Sequence, residues 1–184
     1  SDRTYVKSDQ VDFGFYLDND RRSDLDNSDF IYEPVFGPFV NGTASAETLT
    51  GTGSGEAIYG LAGNDTLVGG AGADTLDGGT GTDQLTGGTG ADTFRFSGLA
   101  HSVNTGNQLD RIIGFENGVD KIDLTGLGFT TLTTNGTTQT GELRLTYLSG
   151  SDRTYVRTDQ SDFRFYLDGD HTVNLDNSDF IFGP

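Results

Sequence analysis

A repeat of nine residues runs without insertion from residue 42 to residue 95 and constrains the fold more than any other feature. Each unit begins with glycine, has an acidic residue at its sixth position and has an apolar residue at its eighth. The units begin at Gly42, Gly51, Gly60, Gly69, Gly78 and Gly87. The acids are Glu47, Glu56, Asp65, Asp74, Asp83 and Asp92, and the apolar residues are Leu49, Ile58, Leu67, Leu76, Leu85 and Phe94. Such a period is typical of a solenoid in which no unit folds alone.

Each unit is long enough for a very short strand and a longer turn. Two units then form one coil, with one short strand in each of two sheets and a column of apolar side chains between them. Glycines at positions 1, 2 and 4 are expected to allow positive φ and close approach of neighbouring turns. Because glycine loses the most conformational freedom on folding, such turns need an external source of stability.

The acidic residues indicate what that source is. Turns on one edge recur at every second unit, so Asp65 is expected to lie over Asp83 and Asp74 over Asp92. Carboxylates about 5 Å apart repel by roughly 3 kcal/mol at an effective dielectric of about 20. A hard cation between them reverses the sign, and Ca²⁺ accepts carboxylates and backbone carbonyls in a flexible geometry. Mg²⁺ demands a stricter octahedron, and His and Cys ligands for Zn²⁺ are lacking in these turns.

The units "GGAGADTLD" and "GGTGTDQLT" resemble the GGxGxDxUx calcium-binding nonapeptide of RTX proteins at each defined position. The resemblance implies a parallel β-roll in which one turn supplies the carbonyls of positions 1 and 3 and its Asp, and the turn two units later supplies the carbonyls of positions 2 and 4 and its Asp. One implied site comprises Gly60, Ala62, Asp65, Gly79, Gly81 and Asp83. The other comprises Gly69, Ala71, Asp74, Gly88, Gly90 and Asp92.

The two ends of the repeat depart from this pattern. The first two units have Ser at position 4 and Glu47 or Glu56 at position 6, so they are expected to bind the metal weakly or in an altered geometry, or to form coils without metal. At the other end, Asp110 or Asp120 is expected to close a terminal site. Both lie in "QLDRIIGFENGVDKIDL", which resembles the region after the repeats in serralysin-type proteases.

A second, much longer repeat relates the two ends of the chain. Residues 1–34 match residues 151–184 at 23 of 34 positions. The chain is therefore expected to begin in the last part of one module (1–34), to continue through a linker (35–41) and to contain one full module. That module comprises the β-roll (42–95) and a C-terminal β part (96–184). The parent protein is expected to begin upstream and to carry such modules in tandem.

The segment after the roll alternates in polarity, as strands do. Strands are predicted in "DKIDL", "ELRLTYL", "RTYVRT" and "DFRFYLD", with Phe163, Phe165 and Leu167 on one face, and "NSDF" predicts a helical turn. The predicted fold class is all-β: a parallel β-roll followed by a β-strand C-terminal cap.

Composition excludes several classes of protein. The net charge of −17 argues against nucleic acid and anionic membranes as partners. The absence of Cys excludes disulfides and thiolate metal sites, and no apolar run approaches the ~20 residues of a membrane span. Neither HExxH nor GxSxG occurs, so the catalytic domains of RTX proteases and lipases are absent from this sequence.

The C-terminal stretch "RTYVRTDQSDFRFYLDGDHTVNLDNSDFIF", and "LDGDHT" above all, resembles the end of the R-modules of secreted mannuronan C5-epimerases. The resemblance implies a secreted, non-catalytic accessory module that binds Ca²⁺ and alginate and modulates an attached epimerase module. The alternatives are a calcium-dependent secretion and folding module, or an adhesin-type RTX repeat without a sugar site.

Alginate is a polyanion, so a positively charged surface is needed despite the net charge. Arginines and tyrosines alternate with apolar residues in the predicted strands, and Arg pairs with carboxylates while Tyr stacks on sugar rings. The candidate sugar-binding residues are Arg144, Arg157, Arg164, Tyr155 and Tyr166. The alternative is that these are ordinary solvated strand residues.

Overall fold

The structure is a computed structural model that describes residues 38–102, 109–133, 141–158 and 161–183, together with the backbone of two strands nearer the N-terminus. The chain divides into two compact units, Ser1–Val35 and Phe36–Pro184. Among the described residues, no helix is long and apolar enough to cross a membrane.

The first unit contains a short antiparallel hairpin. Strands β1 (Thr4–Lys7) and β2 (Gly14–Leu17) pair with Tyr5 opposite Tyr16. The full module pairs the corresponding strands with Tyr155 opposite Tyr166, so the two copies share one register. The sequence repeat is thus also a repeat of backbone structure.

The second unit is a roll of two sheets. The six-stranded sheet contains β3 (Phe39–Asn41), β5 (Ala57–Tyr59), β7 (Thr75–Asp77), β9 (Thr93–Arg95), β11 (Lys121–Asp123) and β16 (Phe180–Ile181) in the order β16-β11-β9-β7-β5-β3. The eight-stranded sheet contains β4 (Thr48–Thr50), β6 (Thr66–Ala71), β8 (Gln84–Thr89), β10 (Arg111–Ile113), β12 (Thr131–Thr133), β13 (Glu142–Leu148), β14 (Arg153–Arg157) and β15 (Arg164–Asp168) in the order β12-β13-β14-β15-β10-β8-β6-β4. Strand β3 lies in the segment that the sequence predicts to be a linker.

Pairing within the repeat is parallel and joins each unit to the second unit after it, as predicted. Leu67 pairs with Leu49 and Leu85, and Ile58 pairs with Leu76, which pairs with Phe94. The apolar residues of the four later units, and Ile58 before them, are at most 1% exposed and form one core between the sheets. The prediction of a parallel β-roll is confirmed.

The C-terminal part extends both sheets of the roll. Strand β10 pairs in parallel with both β8 and β15, and β11 pairs in parallel with both β9 and β16. Strands β13, β14 and β15 then form an antiparallel meander. The predicted strands are present, and Phe163, Phe165 and Leu167 are all fully buried. The predicted helical turn is a 3-10 turn at Asn177–Asp179, whose N-cap is Asp176.

The glycines of the repeat have two different roles, so the two predicted reasons, positive φ and close approach of neighbouring turns, apply at different positions. Glycines at positions 2 and 4 do so, for example Gly79 (φ 88°) and Gly81 (φ 144°). The position-1 glycines do not, and their side chains are excluded by space. A Cβ on Gly60 would lie 2.6 Å from Oδ2 of Asp65 and closer still to the carbonyl oxygen of Gly78. Position 1 is therefore glycine because the carbonyl of the neighbouring turn and the acid of the same turn fill the space. The predicted close approach is confirmed at this position, whereas positive φ is not.

Candidate metal centre

The acidic residues form a ladder along each edge of the roll. On one edge, the backbone N–H of Glu47 donates to Oδ1 of Asp65 (2.8 Å), and that of Asp65 donates to Oδ1 of Asp83 (2.8 Å). On the other edge, the N–H of Glu56 donates to Asp74 (2.7 Å) and that of Asp74 to Asp92 (2.9 Å). Each carboxylate thus connects its own turn to the preceding turn on the same edge.

The second oxygen of each aspartate is buried without a hydrogen-bond partner among the described residues. These atoms are Oδ2 of Asp65, Asp74, Asp83 and Asp92, and each residue is at most 1% exposed. A buried carboxylate oxygen without a partner costs several kcal/mol unless a cation approaches it. Four equivalent oxygens in this state, all at the same repeat position, are what a series of bound cations would require.

The backbone around these oxygens is compatible with a carbonyl-rich metal site. Turn-to-turn hydrogen bonds on the first edge go from the N–H of Thr80 to the carbonyl of Leu61 (2.9 Å) and from the N–H of Gly63 to the carbonyl of Thr80 (2.9 Å). Neither carbonyl belongs to the ligand set that the RTX resemblance implies for Asp65 and Asp83. Within the described residues, no group of three or more His, Asp or Glu side chains is arranged to hold a metal, so carbonyls would have to complete any site.

Burial also shifts the titration of the ladder. Desolvation raises the pKa of Asp83 from its ordinary value of 3.8 to about 6, against the opposing effect of the hydrogen bond from the N–H of Asp65. The pKa values of Asp65, Asp74 and Asp92 are also raised, in each case mainly by desolvation. The ladder without metal is therefore under electrostatic stress, which a divalent cation would relieve.

The two glutamate turns are built differently. The longer side chain of Glu47 returns to its own turn, where Oε2 accepts from the N–H of Thr43 (2.5 Å). Glu56 accepts from the N–H of Thr52 (3.0 Å) through Oε2, and Oε1 accepts from the hydroxyl of Thr52. These two bonds lower the pKa of Glu56. The additional methylene thus lets glutamate accept a hydrogen bond from the amide of its own turn, whereas Oδ2 of each aspartate has no such partner among the described residues.

The ladders continue beyond the repeat on both edges. The N–H of Asp83 donates to Oδ1 of Asp110 (2.8 Å), and the N–H of Asp92 donates to Oδ1 of Asp120 (3.0 Å). The sequence left Asp110 and Asp120 as alternatives for one terminal position, but the structure places one on each edge. Asp179, which the sequence did not single out, is buried beside the second ladder and accepts from the N–H of Gly118 (2.7 Å).

The candidate sugar-binding residues come together on one outward surface of the eight-stranded sheet. Arg144, Arg157 and Arg164 lie directly opposite one another across β13, β14 and β15. Further along the same strands, the rings of Tyr155 and Tyr166 stack with centroids 5.2 Å apart. We call this surface the arginine–tyrosine face and define it by these five residues.

Ion pairs that were not predicted from the sequence lie at the edge of the arginine–tyrosine face. Asp168 accepts from Nε (2.6 Å) and Nη2 (2.5 Å) of Arg111, which ties β10 to β15. Nε of Arg153 lies 3.5 Å from the same carboxylate, and its guanidinium carbon lies 5.6 Å from the centroid of the Tyr166 ring. The signal was available, since Arg153 alternates with Tyr155 and Arg157 in "RTYVR".

Comparison with known proteins agrees with this geometry. Residues 59–94 match the family model described as the RTX calcium-binding nonapeptide repeat (four copies). Mannuronan C5-epimerase AlgE3 of Azotobacter vinelandii is 50% identical across 98% of this chain, which corresponds to 10% of the epimerase. The chain thus spans about a tenth of the length of such curated relatives.

Two solved structures decide the family. The solution structure of the AlgE6R2 subunit from the Azotobacter vinelandii mannuronan C5-epimerase is 37% identical, with a TM-score of 0.66 over 80% of this chain and 94% of that subunit. The chain belongs to the R-module family of the mannuronan C5-epimerases. The AlgE6R3 subunit is a further R-module of this kind, 37% identical with a TM-score of 0.63 over 76% of this chain and 80% of that subunit.

The comparisons confirm the resemblance and the fold predicted from sequence. This R-module is a calcium-binding RTX module, and the matched repeats include the four aspartates whose Oδ2 has no partner in the described part of the chain. The two glutamates Glu47 and Glu56 lie outside the matched residues, and so do Asp110 and Asp120.

Proposed function

We propose that this R-module folds when it binds Ca²⁺ and then binds polyuronate chains through its arginine–tyrosine face, as a non-catalytic partner of an epimerase module in a secreted protein. The observation that carries the calcium part is the set of four buried Asp Oδ2 atoms that have no partner within the described residues. In the unfolded chain these carboxylates are solvated, so metal binding contributes directly to the free energy of folding.

We assign the metal sites in two groups. The first edge would use Asp65 and Asp83 with the carbonyls of Gly60, Ala62, Gly79 and Gly81. The second would use Asp74 and Asp92 with the carbonyls of Gly69, Ala71, Gly88 and Gly90. Asp110 and Asp120 would extend the sites by one turn, because they continue the same ladders. Glu47 and Glu56 would contribute weakly, since their oxygens already bind turn amides.

The row of three arginines carries the polyuronate part of the proposal. Neighbouring strands in a sheet are about 4.8 Å apart, so the row holds three positive charges across roughly 10 Å. A polyuronate presents a regular series of carboxylates, which guanidinium groups bind bidentately. The chain's net charge of −17 does not oppose this, because local fields rather than totals steer ligands and because bound Ca²⁺ offsets the acids of the roll.

The N-terminal copy of the hairpin suggests a sharp test. It has Gly14 where the full module has Arg164, and Lys7 where the full module has Arg157. The variant Arg164→Gly should bind mannuronate or guluronate oligomers about tenfold more weakly, which is about 1.4 kcal/mol. Lys121→Gln, which removes a charge from the other sheet, is the matched control. Affinity would be measured by calorimetry at saturating Ca²⁺, and unchanged affinity in Arg164→Gly would remove Arg164 from the face.

The second candidate function is a calcium-triggered secretion and folding module. The ladder of carboxylates favours it, because their raised pKa values disfavour the folded state when the metal is scarce. It is compatible with polyuronate binding. An adhesin-type spacer would share the calcium response and lack the binding. Calcium titration by circular dichroism tests the common premise, and a chain that is fully folded in EDTA would contradict it.

A further inference from the structure

A groove on the opposite side of the roll is separate from the arginine–tyrosine face. It adjoins the first edge of the roll, because Ala62 and Gly79, whose carbonyls are assigned to the proposed metal site there, also line it. It has a volume of about 520 Å³, and its lining includes Tyr59, Leu61, Asp77, Arg95, Ser97 and His101. Tyr59, Asp77 and Arg95 follow Ile58, Leu76 and Phe94 on their strands, and the latter are buried in the core. Because successive strand residues point to opposite sides, the groove lies on the outer surface of the six-stranded sheet.

We propose that this groove, the Tyr59–Arg95 groove, binds a uronic acid unit, as a second saccharide site on the far side of the roll. The choice of a uronate rests on the proposed function, since the polymer that meets the arginine–tyrosine face is the anionic saccharide available to this surface. The volume falls within the usual range of small-ligand sites and can accommodate one or two sugar rings.

Arg95 supplies the carboxylate-binding group. Its side chain is 45% exposed, and its Nε lies 4.0 Å from Oδ2 of Asp123, beyond hydrogen-bond distance. Because this guanidinium has no hydrogen-bond partner among the described residues, its donors are available for a ligand. A uronate carboxylate can therefore bind there bidentately.

An aspartate and a histidine provide a fixed polar wall. Asp77 is 6% exposed, and its Oδ1 accepts from the N–H of Gly79 (3.1 Å) and lies 3.3 Å from Nδ1 of His101. The imidazole is thus oriented through Nδ1, and Nε2, which has no hydrogen-bond partner among the described residues, is available for a hydroxyl group. Sugar hydroxyls are bound in this way by polar groups that are positioned before the ligand arrives.

Tyr59 and Leu61 form the apolar wall of the groove. Tyr59 stacks on Phe39 with ring centroids 6.3 Å apart, which makes a flat aromatic surface beside the groove. Leu61 is 53% exposed and has φ of 74°, at a repeat position where the three following units have glycine. A branched apolar side chain held in a strained backbone conformation and turned to solvent is costly for stability, and such strain occurs preferentially at binding sites.

Nuclear magnetic resonance titration of the calcium-loaded full chain tests the groove. The probes are trimannuronate, triguluronate and neutral cellotriose, and the reporters are the amides of Tyr59, Arg95 and His101 for the groove and of Tyr155 and Arg157 for the face. We expect both groups of amides to shift with at least one uronate trimer and the groove amides to stay unshifted with cellotriose. Arg95→Gln should weaken the groove response about tenfold and leave the face response unchanged, with Lys121→Gln as the matched control.

The outcomes separate this inference from the proposed function. Shifts confined to the face would overturn the groove and support the face. Shifts confined to the groove would support the inference while contradicting the face. A groove response that persists in Arg95→Gln, or that cellotriose reproduces, would overturn recognition of a carboxylate there.

Discussion

Asp83 accepts a hydrogen bond from the backbone N–H of Asp65 through Oδ1, while its Oδ2 is buried without a partner among the described residues. Oδ1 thus connects two turns of the roll, and Oδ2 is the atom that we propose binds a cation. Because the same division recurs at Asp65, Asp74 and Asp92, the structural role of each carboxylate and its proposed metal-binding role are separable by substitution.

Asp83→Asn is the substitution that separates them. The amide keeps an oxygen for the N–H of Asp65 but replaces Oδ2 with a neutral NH₂ group. We expect the calcium concentration at half-maximal folding to rise at least tenfold, equivalent to about 1.4 kcal/mol, as followed by circular dichroism. The stability without calcium should stay the same or increase, because a buried charge is removed. A calcium response equal to that of the wild type would contradict a metal at this carboxylate.

The pH dependence without calcium follows from the same residue. Since the pKa of Asp83 is about 6 in the folded state and near 3.8 when unfolded, the folded state binds more protons between these values. Stability without calcium should therefore fall as pH rises from about 4 to about 6 and change little above that. Urea unfolding in EDTA at a series of pH values measures this, and the slope should be smaller in Asp83→Asn.

Calcium binding should release protons over the same range. Binding favours the ionised carboxylates, so protons bound to Asp83 and its equivalents must leave. Calorimetry at pH 6 in two buffers of different ionisation enthalpy measures the number released, which should approach zero at pH 8. Equal heats in both buffers at pH 6 would show that these groups are already ionised.

The constant nine-residue period made the roll predictable. Because the period ends after the roll, the way in which the C-terminal part continues both sheets could not be predicted. Register within the repeat follows from a constant spacing, since Leu67 pairs with Leu85 as the period requires. The next step along each ladder is 27 residues, from Asp83 to Asp110, or 28, from Asp92 to Asp120. Unequal loops leave no period to detect, so the continuation of both sheets by β10 and β11 depends on tertiary contacts.

The arginine–tyrosine face and the Tyr59–Arg95 groove also differ in how far they could be predicted from the sequence. The arginine–tyrosine face was predictable because its residues alternate within strands that are adjacent in sequence. The Tyr59–Arg95 groove was not, because His101 reaches Asp77 from 24 residues away, out of a 3-10 turn that carries no repeat signal. For the position-1 glycines, the close approach of the neighbouring turn was predictable, but the contact with the acid of the same turn was not, because the sequence does not show which side chain fills the space.

Glu56 should contribute more to the stability of its own turn than to calcium binding, in contrast to Asp74. Glu56→Ala removes the acceptor for the N–H of Thr52, and we expect it to lower the stability of the calcium-loaded protein by about 1 kcal/mol. The number of calcium ions bound, measured by calorimetry, should stay that of the wild type. Asp74→Ala is the comparison on the same edge and should reduce that number. Loss of a calcium ion in Glu56→Ala would instead make Glu56 a metal ligand.

Leu61 and Gly79 occupy the same repeat position on successive coils. Replacing Leu61 by glycine and giving Gly79 a side chain should have opposite effects on stability. Leu61→Gly relieves a positive φ of 74° and removes an exposed apolar side chain, so stability should increase by about 1 kcal/mol. Gly79→Ala places a Cβ against the carbonyl oxygen of Leu61 at a φ of 88°, so the turn must move and stability should fall by more than about 1 kcal/mol. Both are measured by urea unfolding at saturating Ca²⁺.

If Leu61→Gly also weakens the uronate response of the groove, the strain at Leu61 is retained for binding. Stabilisation without any loss of binding would instead place Leu61 outside the binding site.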